Sequence, residues 1–214
     1  MSQEWRIPQW FKTFEPLALS RLKIYSDDLT KWTKKINLIS PSTVLEADRI
    51  HFADAILGGE FFLKEFPEGA EVWDLGSGNG IPGLVISILR PDLNFFCLDS
   101  DERKIGFIKQ LGLKLELKNL KTICDRLENL PAERISFSMA RGFAPLKRML
   151  SVNAAKFSSN AVIYHFKGQE FQNELDETPE KTSEVWKTTV LGEYKLPLEG
   201  GRRAILKSIK VCRH

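Results

Sequence analysis

From Glu71 onward, short apolar runs of strand length alternate with longer segments in which apolar residues recur at helical spacing. The strand-like runs lie at residues 72–75, 95–98, 122–124, 135–139 and 161–166. Between the second and third runs, apolar side chains from Ile105 to Leu113 are spaced mostly as on one face of a helix. This alternation is typical of a parallel sheet with helices on both faces, so the pattern predicts an α/β fold.

The alternation changes after about residue 184. Two β-rich stretches, residues 185–191 and 204–211, are separated by Pro197 and the pair Gly200 and Gly201, with no long helical segment between them. They predict a terminal hairpin that adds antiparallel strands to the sheet. A parallel core closed by such a hairpin favours a methyltransferase that uses S-adenosylmethionine (SAM) over a dinucleotide dehydrogenase.

The first part of the chain has a different pattern. Apolar residues from Leu17 to Trp32 predict a helix, and a turn is expected at residues 37–41. Residues 44–66 predict one or two further helices, broken at Gly58 and Gly59. We therefore expect a small helical cap at residues 1–66 and a catalytic domain at residues 67–214. Residues 176–182 are expected to form an exposed loop.

A glycine-rich turn follows the first predicted strand. Gly76, Gly78 and Gly80 occupy alternate positions, and Gly83 precedes an apolar, helix-like segment at residues 84–89. Glycine permits positive φ and lets a ligand approach the backbone, and the first N–H groups of a helix point out of its end. Strand, glycine turn and helix together predict a nucleotide-like cofactor.

Two cofactors fit this turn. The spacing Gly78-x-Gly80-x-x-Gly83, with Asp99 roughly 20 residues further on, satisfies the dinucleotide fingerprint. Asp74, two positions before the first glycine, would repel a pyrophosphate. SAM carries cationic sulfonium and ammonium groups and no phosphate, so Asp74 favours SAM.

Composition narrows the class of protein further. The chain has 214 residues, 43% of them hydrophobic, which suffices for one sizeable core and an appendage. No apolar stretch reaches the roughly 18 residues that span a bilayer, and no signal peptide is visible. The three cysteines are scattered, with Cys97 and Cys124 expected to be buried thiols, and no Cys/His cluster suggests a metal. We expect a cytoplasmic protein.

Charge is distributed unevenly along the chain. The net charge is only +3, but residues 141–168 contain five basic side chains and no acidic one. Such a segment suits a polyanion, although an ordinary solvated face would have the same composition.

An ordered set of short motifs resembles one family, the bacterial ribosomal RNA small subunit methyltransferase G family, also called glucose-inhibited division protein B. The motifs are Asn37-Leu38, His51 with Asp54, the stretch from Asp74 to Gly83, Arg90-Pro91, Leu98-Asp99-Ser100, Arg103-Lys104, Arg126-Leu127-Glu128, Arg141-Gly142-Phe143-Ala144 and Lys167-Gly168-Gln169. The resemblance implies a Rossmann-like, class I SAM-dependent methyltransferase that places a methyl group on N7 of a guanine in 16S ribosomal RNA of the small subunit.

The position on the predicted strands and the resemblance together suggest roles for individual residues. Asp99 would accept hydrogen bonds from both ribose hydroxyls, although it could instead be the N-cap of the following helix. Arg141 would bind a carboxylate or a phosphate in bidentate fashion. The expected cofactor-binding residues are Asp74, Gly76, Gly78, Gly80, Ile81, Asp99, Leu127, Glu128 and Arg141. The expected substrate-binding residues are Arg141, Lys167, His51 and Asn37.

The chemistry itself asks little of side chains. Guanine N7 carries a lone pair and no proton, so we assign no acid–base residue and expect positioning to dominate. Phe143, Phe166 or Trp32 would offer a stacking face, although each also fits a place in the core. The partner would be 16S RNA in the small subunit or an assembly intermediate, and the protein is expected to be a monomer without metal. A methyltransferase acting on another RNA, a protein or a small molecule, and a non-catalytic nucleotide-binding module, remain as alternatives.

Overall fold

A computed structural model describes residues 4–152, 154–178, 184–198 and 201–211. Within these residues, seven strands form one sheet in the order β3-β2-β1-β4-β5-β7-β6. The strands are β1 (Glu71–Leu75), β2 (Asn94–Asp99), β3 (Leu120–Cys124), β4 (Ile135–Arg141), β5 (Phe157–Lys167), β6 (Trp186–Lys195) and β7 (Arg202–Lys210). Strands β1 to β5 pair in parallel, and β7 pairs antiparallel with both β5 and β6. The predicted parallel core and terminal hairpin are confirmed.

Seven α-helices are present in the same described ranges. They are α1 (Ile7–Trp10), α2 (Pro16–Thr33), α3 (Asp54–Glu60), α4 (Gly83–Leu89), α5 (Glu102–Lys114), α6 (Leu146–Val152) and α7 (Phe171–Asp176). A 3-10 helix at Pro41–Glu46 and a π-helix at Asp48–Ala53 lead into α3. None of the helices in the described ranges is both long enough and apolar enough to cross a membrane.

The strand order places a crevice at one edge of the sheet. The chain passes from β1 outward to β2 and β3, then returns to add β4 on the other side of β1. In open α/β sheets, ligands bind outside the carboxyl ends of the strands at such a reversal. The turn after β1, the end of β2 and the end of β4 therefore meet at one place.

The cap packs directly on the sheet's helices. Leu22, Tyr25 and Leu29 of α2 and Phe52 of the π-helix are completely buried. They share one hydrophobic cluster with residues of α4 and α5, including Leu84 and Ile108. Helix α2 therefore lies against the layer that follows the glycine turn, and its position is coupled to that layer by packing.

The structure differs from the sequence-based expectations at Gly58, Gly59 and Cys124. The predicted break at Gly58 and Gly59 is wrong, because α3 continues through both residues. Glycine is needed at position 58 for packing, since a Cβ there would lie 2.8 Å from the Tyr194 hydroxyl and closer still to the Phe166 ring. Cys97 is buried as expected, but Cys124 is exposed because it ends the edge strand β3.

The loop expected at residues 176–182 falls largely outside the described residues. Of that stretch, Asp176 ends α7 and Glu177 and Thr178 complete its last turn, where both are hydrogen-bonded back to the helix.

Candidate functional site

A cavity of about 600 Å³ opens at the carboxyl ends of β1, β2, β3 and β4. Its volume lies in the range of ordinary ligand sites. The cap contributes Leu38, Ile39, Ser40 and His51, and the remaining lining comes from the ends of the strands and the segments that follow them. Those segments supply Gly76, Ser77, Gly78, Asn79, Ile81, Leu98, Asp99, Ser100, Lys104, Asp125, Arg126, Leu127, Glu128, Arg141, Gly142, Phe143, Ala144, Arg148 and Met149.

The turn after β1 exposes backbone to this cavity. Gly76 has φ of 68° and Gly78 has φ of 53°, conformations that a residue with a Cβ rarely adopts. The N–H groups of Gly76 and Ser77 both donate to the Leu98 carbonyl at 2.9 Å. The Ser77 hydroxyl donates to the Asp74 carbonyl at 2.8 Å. The turn is thus attached to the end of β2 and leaves a concave strip of backbone.

Asp74 lies beneath the turn and does not line the cavity. It is 1% exposed, and one carboxyl oxygen, Oδ2, accepts from the Gly83 N–H at 3.0 Å. The other, Oδ1, is buried with no hydrogen-bond partner among the described residues. Burial raises the pKa of Asp74 to about 7, and nearby Asp99 acts in the same direction. Asp74 therefore binds a proton readily near neutral pH, and a nearby cation would favour its ionised form.

Tyr25 of the cap is a residue that the sequence pattern did not single out. Its hydroxyl donates to the Asn79 carbonyl at 2.6 Å and would lie 2.7 Å from a Cβ placed on Gly80. Gly80 is buried and does not line the cavity; its φ of 87° and its contact with Tyr25 give it a structural part in the turn. Because a tyrosine on one face of a helix is ordinary core composition, no local signal marks this contact.

Asp99 ends β2 at the floor of the cavity. Its Oδ2 accepts from the Gly78 N–H at 2.8 Å, and its Oδ1 accepts from the Asp101 N–H at 2.9 Å. The N-cap of α5 is Asp101, whose side chain accepts from the Arg103 N–H at 2.9 Å. The capping alternative therefore belongs to Asp101, and each oxygen of Asp99 keeps a further lone pair for a ligand.

Leu127 and Glu128 begin a short 3-10 turn after β3 and line the same cavity. Leu127 is buried, whereas Glu128 is exposed. They lie on the far side of Asp99 from Arg141, since β3 and β4 are on opposite sides of the pair β1 and β2. An apolar contact and a carboxylate are thus available at that end.

Arg141 ends β4 and is fixed by the cap. Its Nε donates to Asp54 Oδ2 at 2.7 Å, and its Nη2 donates to the Ile50 carbonyl at 3.0 Å. His51 Nδ1 lies 3.2 Å from the same Nη2. The bidentate edge formed by Nε and Nη2 therefore faces protein, and the nitrogen left for a ligand is Nη1. This corrects the expectation that Arg141 offers a bidentate edge to the ligand.

Lys167 and Asn37 are placed away from this cavity. Lys167 Nζ donates to Glu174 Oε2 at 2.6 Å and to the Ala144 carbonyl at 3.4 Å. Glu174 also accepts from the Leu146 N–H at 2.7 Å. Lys167 thus helps to hold the loop after β4. Asn37 is exposed and lies in a smaller neighbouring depression with Lys104.

The three aromatic candidates are separated by their surroundings. Phe166 is 6% exposed and packs in the core, and Trp32 packs against Phe107. Phe143 is 38% exposed, lines the cavity and lies against Gly76. Of the three, Phe143 presents a ring to the site.

The donor set fits SAM. A carboxylate that can accept from ribose hydroxyls lies at the end of β2, a concave glycine turn lies beside it, and Asp74 Oδ1 lacks a partner beneath the turn. A cationic amino-acid portion over that turn would be favoured by the buried carboxylate. In the ranges described, no group of three or more His, Cys, Asp or Glu side chains could hold a metal ion.

Comparison with solved structures agrees with this fold. A SAM-dependent methyltransferase from Aquifex aeolicus matches 85% of this chain and 98% of its own with a TM-score of 0.55 at 17% identity. A precorrin-6y C5,15-methyltransferase from Geobacter metallireducens matches 82% of this chain and 92% of its own with a TM-score of 0.53 at 16% identity. The fold is that of the class I SAM-dependent methyltransferases.

The sequence then identifies the family within that class. The family model for rRNA small subunit methyltransferase G matches residues 18–193. Ribosomal RNA small subunit methyltransferase G 3 of Bdellovibrio bacteriovorus is 33% identical over 97% of this chain and 94% of its own. A methyltransferase G of Paracoccus denitrificans is 35% identical over 73% of this chain and 80% of its own. The chain belongs to the rRNA small subunit methyltransferase G family and is an enzyme that uses SAM.

Proposed function

We propose that this enzyme transfers a methyl group from SAM to N7 of a guanine in 16S ribosomal RNA of the small subunit. The observation that carries the proposal is the cavity at the ends of β1, β2 and β4, in a chain that the family model covers from residue 18 to residue 193. The relatives are named ribosomal RNA small subunit methyltransferases, and their activity is the basis for the substrate assigned to this chain.

We assign the cofactor's parts to the cavity by the chemistry of its lining. Gly76, Gly78 and Ile81 form the strip along which the cofactor would lie, and Asp99 would accept from both ribose hydroxyls. Leu127 and Glu128 would face the adenine, with Glu128 as the acceptor for its amino group. Gly80 and Asp74 would act from beneath the turn, Gly80 by its conformation and Asp74 by its charge.

When bound, SAM supplies a methyl group activated by the positive sulfur. Because guanine N7 has a free lone pair, no residue of this chain needs to remove a proton before the transfer. The work of the protein is then to hold two reactants in line, for which well-oriented pairs gain about 7–11 kcal/mol. Phe143, which presents its ring to the cavity, is placed to limit how a base enters.

The RNA would approach over basic side chains at the cavity. Lys104, Arg126 and Arg148 line it, and among the described residues none of the three forms a salt bridge with an acidic side chain. Lysines and arginines that contact phosphate release counterions, so binding should weaken as salt rises. We place the enzyme in the cytoplasm as a monomer, where its substrate would be the small subunit or a particle on the way to it.

A methyl-transfer assay tests the proposal directly. Tritiated SAM and 30S particles from cells that lack this protein are incubated with the enzyme, and the RNA is digested to nucleosides. We expect label in 7-methylguanosine of the small-subunit RNA. SAM binding without labelled RNA would contradict the substrate assignment and favour a protein or small-molecule acceptor. An Asp99→Ala variant should incorporate less label than the wild type when SAM is limiting.

A further inference from the structure

Asp54 is a buried carboxylate at the start of α3, and the cofactor assignments above leave it without a role. It is 3% exposed. Its Oδ2 accepts from Arg141 Nε at 2.7 Å, and its Oδ1 accepts from the Tyr194 hydroxyl at 2.8 Å. Arg203 Nε lies 3.6 Å from Oδ1. Asp54 therefore joins the cap to the end of β4 and to both strands of the terminal hairpin.

The π-helix before Asp54 supplies a second support for Arg141. It spans Asp48–Ala53, and the Ile50 carbonyl within it accepts from Arg141 Nη2 at 3.0 Å. π-helices are rare, and they are frequent at functional sites because their wider winding changes where backbone groups point. Here the carbonyl is directed at the guanidinium.

His51, on the same π-helix, extends the support toward the cavity rim. Burial, with Arg141 next, lowers the pKa of His51 to about 3, so the ring is neutral. Arginine can only donate, so Nδ1 accepts from Arg141 and the proton is on Nε2. Nε2 then donates to Thr43 Oγ1 at 3.0 Å, and that hydroxyl donates to the Ser40 carbonyl at 2.9 Å. This assigns His51 to orienting Arg141 and leaves it no free ring nitrogen for RNA.

These contacts restrict what Arg141 can offer. Nε and Nη2 are occupied, and Nη1 has no partner in the described part of the chain. Two arginines, Arg141 and Arg203, share the single carboxylate of Asp54, so the cluster keeps a positive charge. Arg141 lines the cavity one residue before Gly142 and two before Phe143, which touches Gly76. An anionic group lying over Gly76 would therefore occupy the same cavity as Arg141.

We propose that Asp54 and Tyr194, with the Ile50 carbonyl and the His51 ring of the π-helix, are positioning groups that hold Nη1 of Arg141 toward the carboxylate of the cofactor's amino-acid portion. This deepens the proposed function and rests on it only for the identity of the cofactor. Asp54 touches neither reactant and acts through Arg141. The cap thus takes part in cofactor binding through a side chain that belongs to the sheet.

The test compares two ligands that differ in the group Arg141 would bind. S-adenosylhomocysteine has the amino-acid carboxylate, whereas 5′-methylthioadenosine has the same adenosine and sulfur without it. We expect Asp54→Asn to weaken the binding of S-adenosylhomocysteine at least tenfold, measured by calorimetry. The affinity for 5′-methylthioadenosine should change less than twofold. Equal weakening of both ligands, or no weakening of either, would overturn the proposal.

Asp48 is a matched control on the same π-helix. It is completely buried and is bound by Arg6, whose N–H and Nε donate to Oδ2 at 2.9 Å and whose Nη2 donates to Oδ1 at 2.7 Å. It does not line the cavity. Asp48→Asn should disturb the cap as much as Asp54→Asn but leave both affinities within twofold of the wild type. An equal loss of affinity in Asp48→Asn would mean that Asp54 acts through stability alone.

Two further variants keep the test open if Asp54→Asn does not fold. Tyr194→Phe removes one hydrogen bond to Asp54 and should weaken S-adenosylhomocysteine about two- to fivefold, with 5′-methylthioadenosine unchanged. In an Arg141→Lys background the same Tyr194→Phe change should have no further effect, because Lys cannot keep both cap contacts. Additive losses would overturn the proposal. No RNA is needed, so a wrong RNA substrate would leave this result intact.

Discussion

The two walls of the cavity are built in different ways. The wall formed by the turn after β1 and the end of β2 uses neighbouring backbone, with Asp99 accepting from Gly78 and Asp101. In the other wall, Arg141 contacts Asp54 and His51, which lie 87 and 90 residues away from it in sequence. The first wall presents a carboxylate and a concave strip of backbone, and the second presents a cation. A ligand with hydroxyls at one end and an acid at the other is complementary to both.

The pKa values of the buried groups behind the two walls also shift in opposite directions. Burial raises the pKa of Asp74 to about 7 and lowers the pKa of His51 to about 3. In each case burial disfavours the charged form. Behind the first wall, a nearby cation would favour the ionised form of Asp74. Behind the second wall, His51 is neutral and accepts a hydrogen bond from Arg141.

Arg141→Ala should have the largest effect, because it breaks the wall that depends on distant contacts. It leaves the buried Asp54 carboxylate with Tyr194 and the more distant Arg203. Removing one partner of a buried pair typically costs about 3–5 kcal/mol, and we expect about 3 because Arg203 remains. Urea denaturation measures the loss. Arg148→Ala, an exposed arginine at the same cavity, is the control and should change stability by less than about 0.5 kcal/mol. A loss as small as the control's would show that this wall does not need the pair.

Acidification should destabilise the protein, because on unfolding two buried histidines take up more protons than Asp74 releases. Burial lowers the pKa values of His51 and His165 to about 3, so below pH 6.5 the unfolded state binds their protons and the folded state does not. Asp74, with its raised pKa, has the opposite effect, since the folded state binds its proton below pH 7. The net loss of unfolding free energy is about 1.4 kcal/mol per pH unit between about pH 6 and pH 4.5.

His51→Gln sharpens that prediction. It leaves one buried histidine against Asp74, so the dependence of the unfolding free energy on pH should nearly vanish over the same interval. Asp74→Asn should instead steepen it. Thermal or urea unfolding at several pH values gives the slopes, and an unchanged slope in His51→Gln would contradict the assignment of a neutral His51.

Asp99→Ala tests the locally built wall. It removes the expected acceptor for the ribose hydroxyls and frees the Gly78 N–H. We expect SAM to bind at least tenfold more weakly by calorimetry, or about 1.4 kcal/mol. Asp101→Ala, two residues further on, removes the N-cap of α5 and should cost about 1 kcal/mol of stability with little change in affinity. Unchanged affinity in Asp99→Ala would place the ribose elsewhere.

Tyr25→Phe should have the smallest effect, because it removes only the hydroxyl by which the cap reaches the local wall. The lost hydrogen bond to the Asn79 carbonyl is worth about 1 kcal/mol. We expect a loss of stability of that size and a few-fold weaker SAM binding, measured on the same samples. Tyr164→Phe, whose hydroxyl donates to Glu65 away from the cavity, should lose stability without losing affinity.

The strands and the glycine turn followed from the sequence because each depends on neighbours along the chain. Apolar runs set the strands, and glycines at positions 76 and 78 adopt the positive φ that other residues avoid. The break expected at Gly58 failed because a glycine is also used where two surfaces touch, here α3 against Phe166 and Tyr194. Composition alone does not separate these two uses.

The candidate site shows the same division. Asp99 and the turn were placed by their spacing from β1 and β2, whose carboxyl ends must meet in a parallel sheet. The orientation of Arg141, the tautomer of His51 and the contact from Tyr25 depend on side chains brought together from distant segments. Local sequence therefore specified the elements and the position of Asp99 at the end of β2. Long-range packing alone decided which nitrogens of Arg141 are bound by protein, because Asp54, Ile50 and His51 reach it from a distant segment.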